Sequence, residues 1–220
     1  MRKHVRRYST TLLIVVVSPH LDDAVLSCWS LIDSFEDVAV VTVFTGAPPP
    51  GFVSDWDRDT GVDSATRMAQ RTAENRAALA VAGREPVDVG LLECEYPGGG
   101  IVPREAIRPF IAEAQTVYVP AGIGLEHANE EHAVVRDAVL AVRPDARLYA
   151  DQPYSQFRAD SALPAGLGNG LAPTPIRLSQ EQRLRKIEAL RCYAGELPKL
   201  ERAFTPFLLP ERLEFELFWT

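Results

Sequence analysis

The segment from Leu12 to Val17 is apolar at every position, is β-branched from Ile14 onward, and runs without alternation into Ser18 and Pro19. It is far too short to cross a membrane, which takes ~20 such residues. With no polar face it must be covered on both sides, the environment of a central parallel strand. A parallel neighbour needs a crossover connection, usually a helix, so this strand commits the chain to an α/β architecture. Arg2, Lys3, Arg6 and Arg7 ahead of the run imitate the charged start of a signal peptide. Pro19 and paired aspartates, however, stand where the small residues of a cleavage site belong, so the run reads as a strand of a cytoplasmic protein.

The rest of the chain repeats the pattern. Further strands are expected at Val38 to Phe44, Val87 to Leu92, Thr116 to Pro120 and Arg147 to Ala150, with a final edge strand at Glu214 to Trp219. Helices are expected at Ala24 to Ile32, at Ala65 to Ala82 with Gly83 as its stop, and from Pro103 to about Ala114, shortened or kinked by Pro109. Two more fit His132 to Val142 and, from the capping box Ser179-Gln180-Glu181-Gln182, a stretch to about Gly195. Thr45 to Ser64 and Asp151 to Pro175 read as long loops, which in compact domains are often functional. At 220 residues and 46% hydrophobic composition, residues 1–220 form one domain. The expected fold is a Rossmann-like, doubly wound, mostly parallel sheet with helices on both faces and ligands at the carboxyl ends of its strands.

Net charge of -7 argues against a nucleic-acid partner, which needs clustered Lys and Arg. Cys28, Cys94 and Cys192 are odd in number and far apart, so they suit neither a disulfide framework nor a CxxC metal site and read as reduced thiols. No membrane partner is expected. The oligomeric state is not legible, and a homo-oligomer stays open.

Chemistry concentrates in Ser18-Pro19-His20-Leu21-Asp22-Asp23, directly after the first strand. His20 and Asp23 are three apart, so at the opening turn of a helix they face nearly the same way and can share a metal. Asp22 then points elsewhere, free to take a proton from metal-bound water. Helix capping accounts for one aspartate of this trio, not for two and a histidine. His132, at the start of the helix after the fourth strand, lies at the same sheet edge and completes two His and one carboxylate, leaving a position open for water as catalytic zinc requires. The same ligand set also suits ferrous iron. His127, in the loop before it, is placed to donate to an oxyanion or a leaving amine, or is an exposed loop residue. His4, in the basic terminus, has no chemical partners and reads as structural.

The Pro19-His20-x-Asp22-Asp23 run resembles the P-H-x-D-D signature of the PIG-L deacetylases, also called LmbE-like N-acetylglucosaminyl deacetylases. Arg71-x-x-Glu74 followed by Ala77, Ala78, Leu79 and Gly83 looks like that family's second helix, and the stretches Val119 to Gly124, Arg136 to Ala138, Tyr149 to Tyr154 and Lys186 to Tyr193 extend the likeness over nearly the whole chain. The resemblance implies a zinc ion on His20, Asp23 and His132, Asp22 as general base, an N-acetylated small-molecule substrate, and Arg71 in the substrate pocket rather than exposed and paired with Glu74. The family's second motif is usually H-x-D-H. Counting back from His132 puts Asn129 and Glu131 at its first His and its Asp, unless a longer loop lets His127 serve as the first histidine. That departure leaves a non-catalytic relative binding a sugar-like ligand as one alternative. A nucleotide-dependent transferase is the other, though Gly122-x-Gly124 lacks the third glycine of a dinucleotide fingerprint.

Overall fold

A computed structural model describes residues 13–123, 130–163, 166–167, 170–204, 206 and 208–220. One mixed sheet in the order β3-β2-β1-β4-β5-β7-β6 organises them. β1 (Ile14–Ser18), β2 (Val38–Phe44), β3 (Pro86–Leu91), β4 (Thr116–Pro120) and β5 (Arg147–Tyr149) are parallel, while β6 (Pro173–Arg177) and β7 (Phe215–Trp219) add antiparallel. The five parallel strands confirm the α/β class, and β1 takes the central position its sequence requires. Val15 pairs with Ala39 of β2 on one side and Val117 of β4 on the other.

The two faces of β1 feed two separate cores. Val16 packs with α1 (Asp23–Ser27), α2 (Trp29–Ser34), α6 (Gln180–Leu190) and the end of α3 (Ser64–Ala80); Val15 and Val17 pack with α4 (Arg104–Ile111) and α5 (Glu130–Leu140). Val15, Val16 and Val17 are completely buried, each worth about 1.5–3 kcal/mol of apolar burial. Helices therefore cover both faces, as a non-alternating strand demands.

Four expectations are corrected. The helix expected over Ala24 to Ile32 is two helices broken at Cys28. The cause is a buried ion pair: Glu216 of β7 accepts the Trp29 and Ser30 N–H groups, both at 2.8 Å, at the start of α2. Lys186 of α6 donates to Glu216 at 2.6 Å and to the Leu26 carbonyl at the end of α1. β7 is not the edge strand that its alternation suggested. β6 covers it, and Pro173 and Pro175, two residues apart, leave their missing N–H groups on one side, as an edge strand permits. Third, α6 ends at Leu190, and a further helix, α7 (Leu197–Ala203), follows. Fourth, α5 begins at Glu130, so His132 lies inside its first turn. The capping box at Ser179 and Gln182 is present with both of its hydrogen bonds. Gly83 closes α3 at φ +69°, with the Arg84 N–H on the Leu79 carbonyl.

Among the described residues no helix is long and apolar enough to cross a membrane. Lys186→Met leaves Glu216 buried and uncompensated, and is expected to cost about 3–5 kcal/mol in urea unfolding. The double variant with Glu216→Leu should recover only part of that loss, because the Trp29 and Ser30 N–H groups then lose their acceptor, and a single-variant loss below ~1 kcal/mol would show the pair to be incidental.

Candidate metal centre and substrate pocket

β1 has β2 on one side and β4 on the other, and the chain leaves the two central strands in different directions. A crevice must open outside their carboxyl ends at such a switch point. The turn after β1 enters it carrying His20, Asp22 and Asp23, and α5, which follows β4, enters carrying Glu131 and His132.

Backbone bonds fix the first turn. The Phe44 N–H binds the Pro19 carbonyl at 2.9 Å, and the buried Tyr193 hydroxyl donates to the Leu21 carbonyl at 2.9 Å. Neither aspartate caps α1. Asp22, at the cap position, makes no side-chain cap bond, and the Ser18 hydroxyl accepts the Ala24 N–H at 3.0 Å instead. Asp23 Oδ2 turns back to accept the His20 N–H at 2.8 Å. Capping therefore does not explain the two carboxylates.

His20, Asp23 and His132 each bring one ligand atom into a cluster within 4.8 Å. Asp23 Oδ2 lies 3.2 Å from His20 Nδ1 and 3.4 Å from His132 Nε2. The far nitrogen of each ring is held by a carboxylate: His20 Nε2 by Glu131 at 2.8 Å and His132 Nδ1 by Asp151 at 2.6 Å. An imidazole that donates from one nitrogen offers a lone pair at the other. Both lone pairs then point at the space beside Asp23 Oδ2. His132 Nε2 is fully buried and has no hydrogen-bond partner, an orphan that a metal ion would satisfy. The donor set fits a divalent cation such as zinc.

The carboxylates make the cluster electronegative. Burial opposes the charged forms of all three, yet their mutual attraction wins. The His20 and His132 pKa values stay raised because Asp23, Glu131 and Asp151 offset desolvation, and Asp23 falls to about 2 against its own burial because of the two imidazoles. Asp22 behaves oppositely: burial first, then the Asp23 charge, lift it to about 7 against the pull of Arg71.

His20 and Asp23 of the cluster line a cavity of about 210 Å³. Asp22, half-buried, lines it, and Arg71 of α3 forms one wall. Arg71 is buried and bonded to Glu93 at 2.8 Å. Glu74 is taken by Arg67 at 3.1 Å, so the exposed Arg71–Glu74 pairing is not found. The long loop after β2 brings Trp56 to the same wall, where its Nε1 donates to Glu196 at 2.8 Å; Tyr154 sits edge-on to His132, ring centroids 5.6 Å apart. His4, His127 and Asn129 lie outside the described residues.

Three site residues escape sequence reasoning, Glu93, Asp151 and Glu196, while Glu131 was marked there only as a departure from the motif. Asp151 carried a usable signal, a carboxylate two residues after β5 at the sheet edge where ligands bind. Its second oxygen also accepts the Gly122 N–H at 2.7 Å and the Ile123 N–H at 3.2 Å. Glu196 follows a helix end without periodicity and carried none.

No family model matches this chain, and no curated protein matches it. Solved structures do. The A40926 pseudoaglycone deacetylase Dbv21 is 29% identical with a TM-score of 0.75, the alignment covering 94% of this chain and 96% of that one. The resemblance to the PIG-L, LmbE-like deacetylases read from the sequence agrees with these solved deacetylase structures. The zinc-inhibited form of teicoplanin deacetylase Orf2 is 26% identical over the same shares of the two chains, with a TM-score of 0.74. The 4-carboxy-2-hydroxymuconate hydratase GalB of Pseudomonas putida, at 15% identity and a TM-score of 0.58 over 91% of this chain and 86% of that one, shares the fold.

Asp151→Asn keeps the shape but loses the charge that orients His132. Affinity for zinc, measured by competition with a chelator, is expected to fall 10–100-fold. An unchanged affinity would remove Asp151 from the metal's support.

Proposed function

We propose that this chain hydrolyses the N-acetyl group of an N-acetylated amino sugar or glycoside, releasing acetate and a free amine, with a zinc ion held by His20, Asp23 and His132. The observation that carries this reading is the convergence of His20 Nδ1, Asp23 Oδ2 and the orphaned His132 Nε2 beside an Asp22 carboxyl that opens into the same cavity. Two neighbours, the A40926 pseudoaglycone deacetylase Dbv21 and teicoplanin deacetylase Orf2, support the deacetylase reading. When bound, the metal supplies Lewis acidity and lowers the pKa of water toward neutrality.

The chain's own groups do the rest. Amide hydrolysis adds water across the C–N bond: the water's oxygen leaves in acetate and the nitrogen gains a proton. Asp22 is the proton carrier. It makes no cap bond and lines the cavity beside the cluster, the position from which a carboxyl can accept a proton and return it. Asp23, three residues from His20 and held near 2, stays anionic and serves as ligand. The division of labour between adjacent aspartates follows from their partners: imidazoles beside Asp23, burial and a carboxylate beside Asp22.

Arg71 forms the wall above Asp22, and Glu93 aims it. Its role is to orient the sugar by donating to a hydroxyl or to the acetyl carbonyl. His127 is assigned as the second donor to the oxyanion or the departing amine, a role the sequence motif alone supports. The 210 Å³ cavity has room for one sugar ring, so a larger glycoside would extend past Trp56 and Tyr154 into solvent.

Asp22→Asn is expected to lower kcat by about 10²–10⁴-fold while metal content, by elemental analysis, stays at wild-type level. Acetate release at the wild-type rate would remove Asp22 as the base. His132→Ala is expected to abolish both metal and turnover, and elemental analysis of the wild type separates zinc from iron.

A further inference from the structure

No bond of its own sets the direction of the Asp22 carboxyl. It lines the cavity, yet it has no hydrogen bond or ion pair with the described residues. Its neighbours are all committed: Asp23 to the His20 N–H, and the Ser18 hydroxyl to the His20 carbonyl and the Ala24 N–H. Such a side chain points where its backbone aims the Cα–Cβ bond, and that aim follows from the two planar peptide units that flank it. The unit after Asp22 is held by α1, whose Leu26 N–H binds the Asp22 carbonyl at 3.0 Å. The unit before it joins the Leu21 carbonyl to the Asp22 N–H. Whatever holds the Leu21 carbonyl therefore aims Asp22.

That carbonyl is held by a residue 172 positions away. The Tyr193 hydroxyl, in the turn after α6, lies 2.9 Å from it and 2.9 Å from Asn75 Oδ1, and all three residues are buried. A phenol has one proton and cannot donate to both oxygens. Asn75 Nδ2, meanwhile, is buried without a partner. Turning the carboxamide end for end answers both difficulties: Nδ2 donates to the phenol oxygen, and the phenol proton is left for the Leu21 carbonyl. Burial, and next the Asp22 charge, keep the phenol neutral and donating by pushing its pKa far up. The tyrosine is itself tied down, since the Leu197 N–H binds its carbonyl at 2.9 Å and the Gly195 N–H binds Glu74 at 3.0 Å. Asn75 stands one turn after Arg71 among the buried residues of α3.

We infer that Tyr193 and Asn75 are positioning residues that fix, through the Leu21 carbonyl, the peptide unit aiming the Asp22 carboxyl into the cavity, a role that rests on Asp22 being the proton carrier of the proposed deacetylation. One helix then registers both sides of the reaction, Arg71 directly in the wall and Asp22 by way of Asn75 and Tyr193. The cluster has braces of its own: Glu131 and Asp151 hold the two rings, and the His20 N–H holds Asp23. Loss of the relay therefore leaves the metal site in place and disturbs the aspartate beside it.

Tyr193→Phe keeps the ring in its packing and removes only the hydroxyl. In the zinc-loaded protein, kcat for acetate release from N-acetylglucosamine or its glycosides is expected to fall about tenfold, the equivalent of one buried hydrogen bond. KM, and zinc affinity by chelator competition, should stay within about twofold. Asn75→Leu, close in volume, leaves the phenol proton on Leu21 and removes only its support, so a fall of about threefold is expected. In an Asp22→Asn background neither substitution should lower the residual rate by more than about twofold, because the group they aim no longer carries a proton. A hydroxyl that merely stabilises the fold would weaken zinc binding along with kcat, or act equally in both backgrounds, and either result overturns the inference. The crystal structure of zinc-loaded Tyr193→Phe gives a readout independent of turnover. The Leu21–Asp22 peptide is expected to rotate and the Asp22 carboxyl to leave its native direction, with His20, Asp23 and His132 still on the zinc; an Asp22 carboxyl in its native place overturns the inference. If the wild type releases no acetate from these sugars, the deacetylase reading fails, and the direction of Asp22 in that crystal structure still decides whether Tyr193 aims it.

Discussion

A single carboxylate oxygen, Asp23 Oδ2, organises this molecule's chemistry. It accepts the His20 N–H, and both imidazoles lie within 3.4 Å of it. Burying an ion is costly unless opposite charge and hydrogen bonds surround it, and that requirement dictates much of the neighbouring structure. The Ser18 hydroxyl takes over the capping of α1 so that the Asp23 side chain can turn back. β4 must lie beside β1 for α5 to deliver His132. Asp151, two residues after β5, must lie where it can hold that ring's Nδ1. The strand order and the ligand cluster are one constraint seen at two scales.

The turn after β1 is supported from the opposite face by a second buried charge. Glu216 and Lys186 cap α2 and α1 where they meet at Cys28. α1 is a single short helix of five residues, too short to hold its own position. A short, rigidly tied helix nevertheless fixes the residues before it to within the tolerance a metal site needs. The break at Cys28 lets α1 follow the crevice and α2 follow the core, and β7, through Glu216, ties that junction to the far side of the sheet.

Legibility in the sequence followed the range of the forces involved. β2 and β4 were readable to the residue, because buried parallel strands depend on local apolar content. The trio His20, Asp22 and Asp23 was readable because three chemically distinct groups in four residues leave few structural explanations. β6 was hidden by Pro173 and Pro175, which signal loop unless an edge position is known in advance. α7 and Glu196 were hidden because what fixes them is long-range: Arg67 and Trp56 on Glu196, and Lys199 on the Trp56 carbonyl at 2.7 Å. No window of local sequence contains both halves of those bonds. The pocket walls were therefore less visible than its floor.

Glu131 is the instructive case, since the motif count placed it where an aspartate usually stands and marked it as a departure. In the first turn of α5, its longer side chain reaches back to His20 Nε2 at 2.8 Å and accepts the Cys94 N–H. An aspartate on the same backbone would fall one methylene short of that ring. The carboxylate–imidazole contact that orients a metal ligand is therefore kept by extending the side chain. The same residue also ties α5 to the turn after β3 that lines the cavity. What looked like the loss of an acid is a carboxylate with two tasks, bracing His20 and registering the rim of the pocket against the His20–Asp23–His132 cluster.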